Sequence, residues 1–217
     1  MTTPEVKIKA SSIVLIGDFN PKIFQPAWFA AEELIRKQEA EEASIEIIRP
    51  EVVSFTLEWL KMIVTHDRFQ TSTTQKPYYD IMRDLVIGTF ELLQHTPIRM
   101  MGINTEIHYQ MKDEDEWHSL GHRLAPKKLW DTTLNRPGMQ SLTMKGERSD
   151  GFKGYIQVVV EPSAKVYPGI YFNVNDHYEV KDPESVIGCD EILSILESSW
   201  KESIERSQKI IKSILEA

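Results

Sequence analysis

The sequence predicts an α+β fold in which a mainly antiparallel sheet carries helices on one face. Two observations indicate this class. Runs with a two-residue period follow one another without a helix between Ser44 and Thr74, and again after Ser141. Helical patterns are few and lie apart from these runs, whereas a parallel sheet requires regular alternation of strands and helices. A third observation, the long amphipathic stretch from Asp190 to Glu216, predicts a closing C-terminal helix.

The first third of the chain predicts a strand, a helix and several short strands. The apolar run from Ser12 to Phe19 indicates the first strand. Pro26 is suited to the first turn of a helix, which we expect to run to about Glu42 with its apolar residues on one side. From Ser44 to Thr74 apolar and polar residues alternate, which predicts three or four antiparallel strands.

The middle third predicts a second helix and a further strand. Helical spacing of apolar residues extends from about Pro77 to Gln94, and Pro97 ends it. The alternating segment from Ile98 to Met111 is typical of a strand. We expect the polar stretch from Lys112 to Pro137 to be irregular, with one helical turn around residues 117–120.

The last third predicts three strands, in residues 141–148, 154–162 and 169–180, before the final helix. A turn through Tyr167, Pro168 and Gly169 makes the last two strands a hairpin. In all we expect six or more strands and three main helices in one domain, residues 1–217. The order of elements leaves two topologies open, a ferredoxin-like sheet or a helix-grip fold curved around the last helix.

Composition disfavours two classes of partner. The net charge of −8 argues against nucleic acid, because proteins that bind phosphates usually carry a basic excess. Four basic residues follow the acidic run 113–116, and we expect them to be solvated surface: Arg123, Lys127, Lys128 and Arg136. No apolar run approaches the length of a membrane span, and the N-terminus lacks the apolar core of a signal peptide. The single cysteine, Cys189, fits a reducing compartment, so we expect a cytoplasmic protein.

The strand from Gly169 to Val180 contains the candidate ligand-binding residues. Because side chains alternate along a strand, Tyr171, Asn173, Asn175 and His177 share one face. One interpretation is the solvated face of a sheet. The other is a groove whose amides and imidazole bind a ligand or a partner strand, in a pocket between the sheet and the C-terminal helix.

Metal and nucleophile chemistry have weaker support. His118 and His122 have the spacing of two ligands on one helix face, with His177, Asp176 or His108 as a possible third. Ser119 replaces the glutamate that a zinc protease needs after its first histidine, and Gly121 weakens the helix. We therefore expect no metal, no cofactor and no catalytic residue. Cys189, near the start of a helix, is either a low-pKa thiol or a small apolar residue.

The C-terminal helix contains the candidate partner interface. Its apolar stripe continues through Ile210, Ile211, Ile214 and Leu215, and a helix of about 40 Å is long enough to extend beyond its own sheet. We expect its first half, through Trp200, to pack on the sheet and these four residues to contact another chain. The alternative is that the whole stripe is intramolecular core.

Five segments resemble a bacterial protein family of unknown function: Asn20–Trp28, His66–Thr73, Arg83–Ile98, Gly102–Asn104 and Val174–Glu179. The resemblance implies a bacterial, cytosolic protein and brings no catalytic residues with it. The lack of catalytic signatures, the acidic surface and the long terminal helix favour a non-enzymatic protein-interaction or assembly subunit. The alternatives are a small-ligand-binding protein and a metal-dependent enzyme that uses the segment from His118 to His122.

Overall fold

The computed structural model describes residues 4–216, which form nine strands and five α-helices. The strands are β1 (Glu5–Gly17), β2 (Ser44–Arg49), β3 (Val52–Thr56), β4 (Lys61–Thr65), β5 (Arg68–Thr73), β6 (Ile98–Gln110), β7 (Leu142–Glu147), β8 (Gly154–Pro162) and β9 (Gly169–Glu179). The helices are α1 (Pro26–Ala31), α2 (Lys37–Glu41), α3 (Tyr79–Leu92), α4 (Glu114–Leu124) and α5 (Asp190–Glu216). Short 3₁₀ turns occupy Lys76–Tyr78 and Lys127–Leu129.

All nine strands join one antiparallel sheet in the order β2-β3-β4-β5-β1-β6-β9-β8-β7. The predicted α+β class, the antiparallel sheet and the long C-terminal helix are therefore confirmed. The sheet is larger than that of a ferredoxin-like fold, which has four strands.

The order of elements occurs twice along the chain. A long strand, a helical segment, a run of shorter strands and a helix make up residues 5–92, and the same succession makes up residues 98–216. The two long strands that open these halves, β1 and β6, pair with each other in the middle of the sheet. No sequence repeat indicates this arrangement, because a duplicated architecture needs only the same alternation of polar and apolar residues.

The helices cover one face of the sheet and enclose two apolar clusters there. The first core contains residues of β1, β3, β4 and β5 together with the phenylalanines at 24, 29 and 90 and the first half of α5. The second core joins the far ends of β6, β8 and β9 to Leu120 of α4 and Ile211 of α5. The opposite face of the sheet contributes to neither cluster, and we call it the uncovered face.

The helix predicted from Pro26 to about Glu42 is two helices, α1 and α2. Glu33 adopts the left-handed conformation at φ 59°, and the Leu34 N–H bonds to the Phe29 carbonyl at 2.9 Å. This 6→1 hydrogen bond is a Schellman motif, which ends a helix. The turn brings Ile35 into the first core, where it is buried.

The stretch predicted to be irregular from Lys112 contains the 11-residue helix α4. The Asp113 carboxylate accepts a hydrogen bond from the Glu116 N–H at 2.8 Å, which caps the helix. Three acidic residues in the first turn and two basic residues in the last complement the helix dipole. These charges are the signals of a helix start and a helix end.

The second half of α5 packs on its own chain, which corrects part of the interface prediction. Ile211 is 0% exposed in the second core, so it is not available to a partner. Ile210, Ile214 and Leu215 are partly buried against the same core. Arg123 of α4 donates to the Ile214 carbonyl at 2.8 Å and fastens the end of α5. The helix does not extend beyond its sheet, because the second core lies beneath it.

Candidate functional site

The candidate site is the uncovered face of the sheet, where the predicted ligand-binding residues lie. Along β9 from Ile170 to Glu179 the even-numbered residues are buried and the odd-numbered ones are partly exposed. Phe172 and Val174 belong to the second core, so Tyr171, Asn173, Asn175 and His177 face the other way. They share one face, as the alternation predicts. The predicted location between the sheet and α5 is wrong, since α5 packs on the even-numbered side.

Register places these residues in a longer pattern. One row of cross-strand neighbours crosses the whole sheet through Asn175, and it takes one residue from every strand. All nine are polar: Ser44, Thr56, Lys61, Ser72, Ser12, Asn104, Asn175, Gln157 and Lys145. At about 4.8 Å per strand the row is roughly 38 Å long. We call it the polar row.

Two amides of β9 have hydrogen-bonding capacity that the chain does not use: Asn175 in the polar row and Asn173 beside it. Asn175 Oδ1 and Asn173 Oδ1 are shielded from solvent and accept no hydrogen bond within the described chain. Gly102 allows this packing, because a Cβ there would lie 2.9 Å from Asn175 Oδ1. A buried carbonyl oxygen without a donor costs free energy, so a partner whose N–H or O–H reaches it, after a shift of the neighbouring side chains, would gain from binding here.

Two pairs of neighbouring rings flank the amides of Asn173 and Asn175. The His177 imidazole stacks on Tyr155 with centroids 4.3 Å apart, and Lys145 Nζ lies 3.5 Å from the centroid of the Tyr155 ring. On the other side the His108 imidazole lies 4.7 Å from the Tyr171 ring. Contact within each pair holds the rings in place on either side of the amides. Because rigid rings lose little conformational entropy when they contact a partner, they are suited to a binding surface.

Burial keeps both imidazoles neutral. It lowers the pKa of His108, with a smaller effect of Lys165, and it lowers the pKa of His177 against the opposing effect of Glu179. Ser163 Oγ accepts from the N–H groups of Lys165 and Val166, which leaves its proton for His108 Nδ1 at 2.8 Å. Nε2 therefore bears the hydrogen of the neutral ring.

Tyr171 is a hydrogen-bond donor at neutral pH. Burial raises the pKa of its phenol to about 12, and the carboxylate of Glu106 adds to that effect. Its ionised form would be needed for nucleophilic or general-base chemistry, and burial disfavours that form. Neutral imidazoles, amides and a protonated phenol make a surface suited to binding.

Beneath the sheet, a cluster of buried charges was not predicted. Arg148 donates to Asp176, and both side chains are 1% exposed. Arg206 of α5 binds Asp176 at 2.6 Å and Asp150 at 2.9 Å, and the Arg148 guanidinium lies 3.7 Å from the centroid of the Tyr178 ring. We call Arg148, Asp150, Asp176 and Arg206 the arginine–aspartate cluster. It lies between the two cores and joins β9 to α5.

The other candidate residues are not brought together. Asp176 belongs to the arginine–aspartate cluster while His177 lies on the opposite face, so they do not form one metal site with His118 and His122. Within residues 4–216 no three His, Cys, Asp or Glu side chains are placed to share a metal ion. Cys189 is buried, and burial raises the pKa of its thiol to about 11, with Asp190 contributing. The low-pKa interpretation is therefore wrong.

Comparison with known proteins adds no family. No protein-family model matches this chain, and none of the curated proteins matches it. The resemblance to a bacterial family stays a prediction. Among the helices described, none is both long enough and apolar enough to cross a membrane.

Proposed function

We propose that the chain is a non-enzymatic interaction or assembly subunit whose binding surface is the uncovered face of the sheet. The single observation that carries this proposal is the pair of unpartnered carbonyl oxygens of Asn173 and Asn175 on the uncovered face. The surface is rich in tyrosine, serine and asparagine, residues that protein-recognition surfaces favour.

The size and charge of the face favour a protein partner. Nine strands about 4.8 Å apart, averaging roughly eight residues, give a face larger than the ~800 Å² that each partner of a standard interface contributes. Two carboxylates on it, Glu106 and Glu161, form no ion pair within residues 4–216. Acceptor oxygens and free carboxylates call for donors, so the partner presents N–H groups and basic side chains. Nucleic acid, whose backbone is anionic, does not fit.

The position of the uncovered face and the burial of α5 also change the two alternative predictions, the small-ligand site and the C-terminal interface. A small ligand would bind the same amides, not a pocket beneath α5. Ile210, Ile214 and Leu215 could contact a partner only with the part of their surface that the second core leaves open. We also propose a bacterial cytosolic setting, in keeping with the unpaired Cys189. For the fold, we propose the helix-grip type, since α5 packs along β6 and β9.

Site-directed photo-crosslinking in the native host tests the surface. A photoreactive phenylalanine analogue replaces Gln157 in the polar row, or the exposed Glu197 on the solvent side of α5 as a matched control. We expect one discrete protein-sized adduct from position 157 and none from position 197. Adding Asn173→Ala and Asn175→Ala should abolish it.

Each other outcome has a meaning. Adducts that add only a few hundred daltons to the chain would indicate that the surface binds a small ligand and not a protein. Equal crosslinking at both positions, or none at position 157, would refute the uncovered face as the binding surface.

A further inference from the structure

A concave site lies on the helix-covered side of the sheet, where α4 meets the segment that follows it. The cleft encloses about 220 Å³. Its walls come from α4 and from residues 136–139, and its floor comes from Pro162 and Ile170 at the hairpin of β8 and β9. His118 and His122, which do not lie on the uncovered face, line this cleft.

Every ionisable residue that lines the cleft is basic: His118, His122, Lys127 and Arg136. In the described part of the chain neither Lys127 nor Arg136 forms an ion pair. Fifteen of the 25 lysines and arginines form no ion pair within residues 4–216, so a cation without a partner is common in this chain. In this cleft two such cations lie beside two imidazoles, with no carboxylate in the lining. The grouping favours an anion over a cation or a neutral ligand.

Three of the four carboxylates in the acidic run at the start of α4 accept hydrogen bonds outside the cleft. Asp113 caps the helix at the Glu116 N–H, and Glu116 accepts from the Lys112 N–H at 3.1 Å. Glu114 accepts from the Tyr167 hydroxyl at 2.7 Å. None of the four acidic residues lines the cleft, whose ionisable residues are all basic.

The backbone at Arg136 adds a second observation. Its φ of 54° lies in the left-handed region, which side chains other than glycine seldom adopt. Glycine would relieve that conformational cost, yet the sequence has an arginine here, with Gly138 two residues later. In this conformation Arg136 lines the cleft while it remains exposed to solvent.

The remaining lining is apolar and aromatic. Trp117 is partly buried and packs edge-on against Tyr167, with centroids 5.7 Å apart, while Met139 and Ile170 complete the apolar surface. A ligand of this cleft has an apolar, preferably planar part beside its charge. Two permanently charged cations and two imidazoles offer more hydrogen-bond donors than one carboxylate can accept from. A phosphate monoester has three terminal oxygens and up to two negative charges, so it can accept from all four.

We propose that this cleft binds the phosphate monoester of a small aromatic group. Arg136 and Lys127 bind the phosphate oxygens, His118 and His122 donate to them, and the Trp117 ring contacts the aromatic part. This inference does not depend on the proposed function, since the cleft and the uncovered face share no residue.

Titration calorimetry with phenyl phosphate tests the proposal, with inorganic phosphate and phenol as separate probes. We expect saturable binding of one phenyl phosphate per chain, at least about tenfold tighter than that of inorganic phosphate, and no binding of phenol. Lys127→Met and Arg136→Met should each weaken binding about tenfold or more, as expected for lost charge-assisted hydrogen bonds. Lys128→Met is the matched control, because Lys128 is the exposed neighbour that does not line the cleft.

Trp117→Leu separates the two parts of the ligand. It should remove most of the preference for phenyl phosphate and leave the affinity for inorganic phosphate within about twofold. Unfolding midpoints of all variants should match that of the parent chain, so that a loss of binding is not a loss of fold. The proposal would be overturned if phenyl phosphate showed no saturable binding up to about 10 mM. It would also be overturned if Lys128→Met weakened binding as much as Lys127→Met and Arg136→Met do.

Discussion

The two cores beneath the sheet are built in different ways. The first core is held by aromatic rings: Phe69 lies 5.3 Å from Phe24, 5.1 Å from Phe90 and 6.1 Å from Phe19. The second core has mainly aliphatic side chains, and its Phe172 has one aromatic neighbour, Tyr109 at 5.9 Å. Between them, charge takes the place of apolar packing in the arginine–aspartate cluster. Dispersion holds the first half of the sheet to its helices, while specific hydrogen bonds fix how α5 crosses the second half.

Replacing one buried phenylalanine in each core tests this difference most directly. Phe69 and Phe172 are both 0% exposed, so the substitution removes the same side chain from equal burial. We expect Phe69→Ala to lower the free energy of unfolding by about 5 kcal/mol and Phe172→Ala by about 3 kcal/mol, since each lost aromatic pair adds to the cavity cost. Urea unfolding measures both, and equal losses would show that the aromatic pairs add nothing beyond burial.

Ile211→Glu tests whether the second half of α5 belongs to the core. Because Ile211 is buried in its own chain, a carboxylate there should lower the free energy of unfolding by about 4 kcal/mol. The control is Lys212→Glu at the next, exposed position, with a change below about 0.5 kcal/mol. A folded, equally stable Ile211→Glu protein that has lost an oligomer would restore the original interface prediction.

Arg148→Met tests the arginine–aspartate cluster. The substitution leaves the buried Asp176 with one of its two arginines. We expect it to lower the free energy of unfolding by about 3 kcal/mol. Glu202→Gln, which removes the exposed partner of Arg206, should cost less than about 0.5 kcal/mol.

The same cluster predicts an acid dependence of stability. Burial alone would raise the pKa of Asp150, but hydrogen bonding and charge from Arg148 hold it below the usual range. Its stabilising contribution is thus present above the unfolded-state pKa of about 3.9 and is lost as pH falls. In Arg148→Met this decline should be shallower. An unchanged decline would place the acid sensitivity elsewhere.

Gly102→Ala changes the uncovered face while it leaves both cores intact. The new methyl group would displace the Asn175 side chain, whose oxygen lies 2.9 Å from it. We expect a loss of about 1 kcal/mol in stability and loss of the crosslink from position 157. Gly146→Ala is the control, because a Cβ there has open space around it. Retention of the crosslink would show that the position of Asn175 is not important for binding.

His108→Gln should have the smallest effect, below about 1 kcal/mol. The folded state lowers the pKa of His108, so the unfolded chain binds the proton more readily and stability falls as pH drops below about 6.5. Glutamine removes that contribution and should flatten the decline in stability between pH 7 and 5. A steeper decline would mean that the folded state stabilises the imidazolium.

Local pattern predicted much of the fold because secondary structure depends on nearby residues. Alternation located the strands of Ser44–Thr74 and the shared face of Tyr171, Asn173, Asn175 and His177. The spacing of three and four residues gave α5 its observed bounds, Asp190–Glu216. Of the helix α4 only one turn, around residues 117–120, was predicted, because polar residues dominate the segment. Its apolar stripe is short and consists of Trp117, Leu120 and Leu124, which pack in the second core.

By itself, the sequence determined the class of fold, the faces of the strands and the length of the last helix, since these follow from the period of apolar residues. Only the tertiary structure decided the polar row, because a row through nine strands depends on eight pairing registers that no single segment contains. It also decided that Arg148, Asp176 and Arg206 meet, although about thirty residues separate each neighbouring pair along the chain. Contacts of that range depend on how α5 crosses the sheet, and the packing of the two cores fixes that crossing.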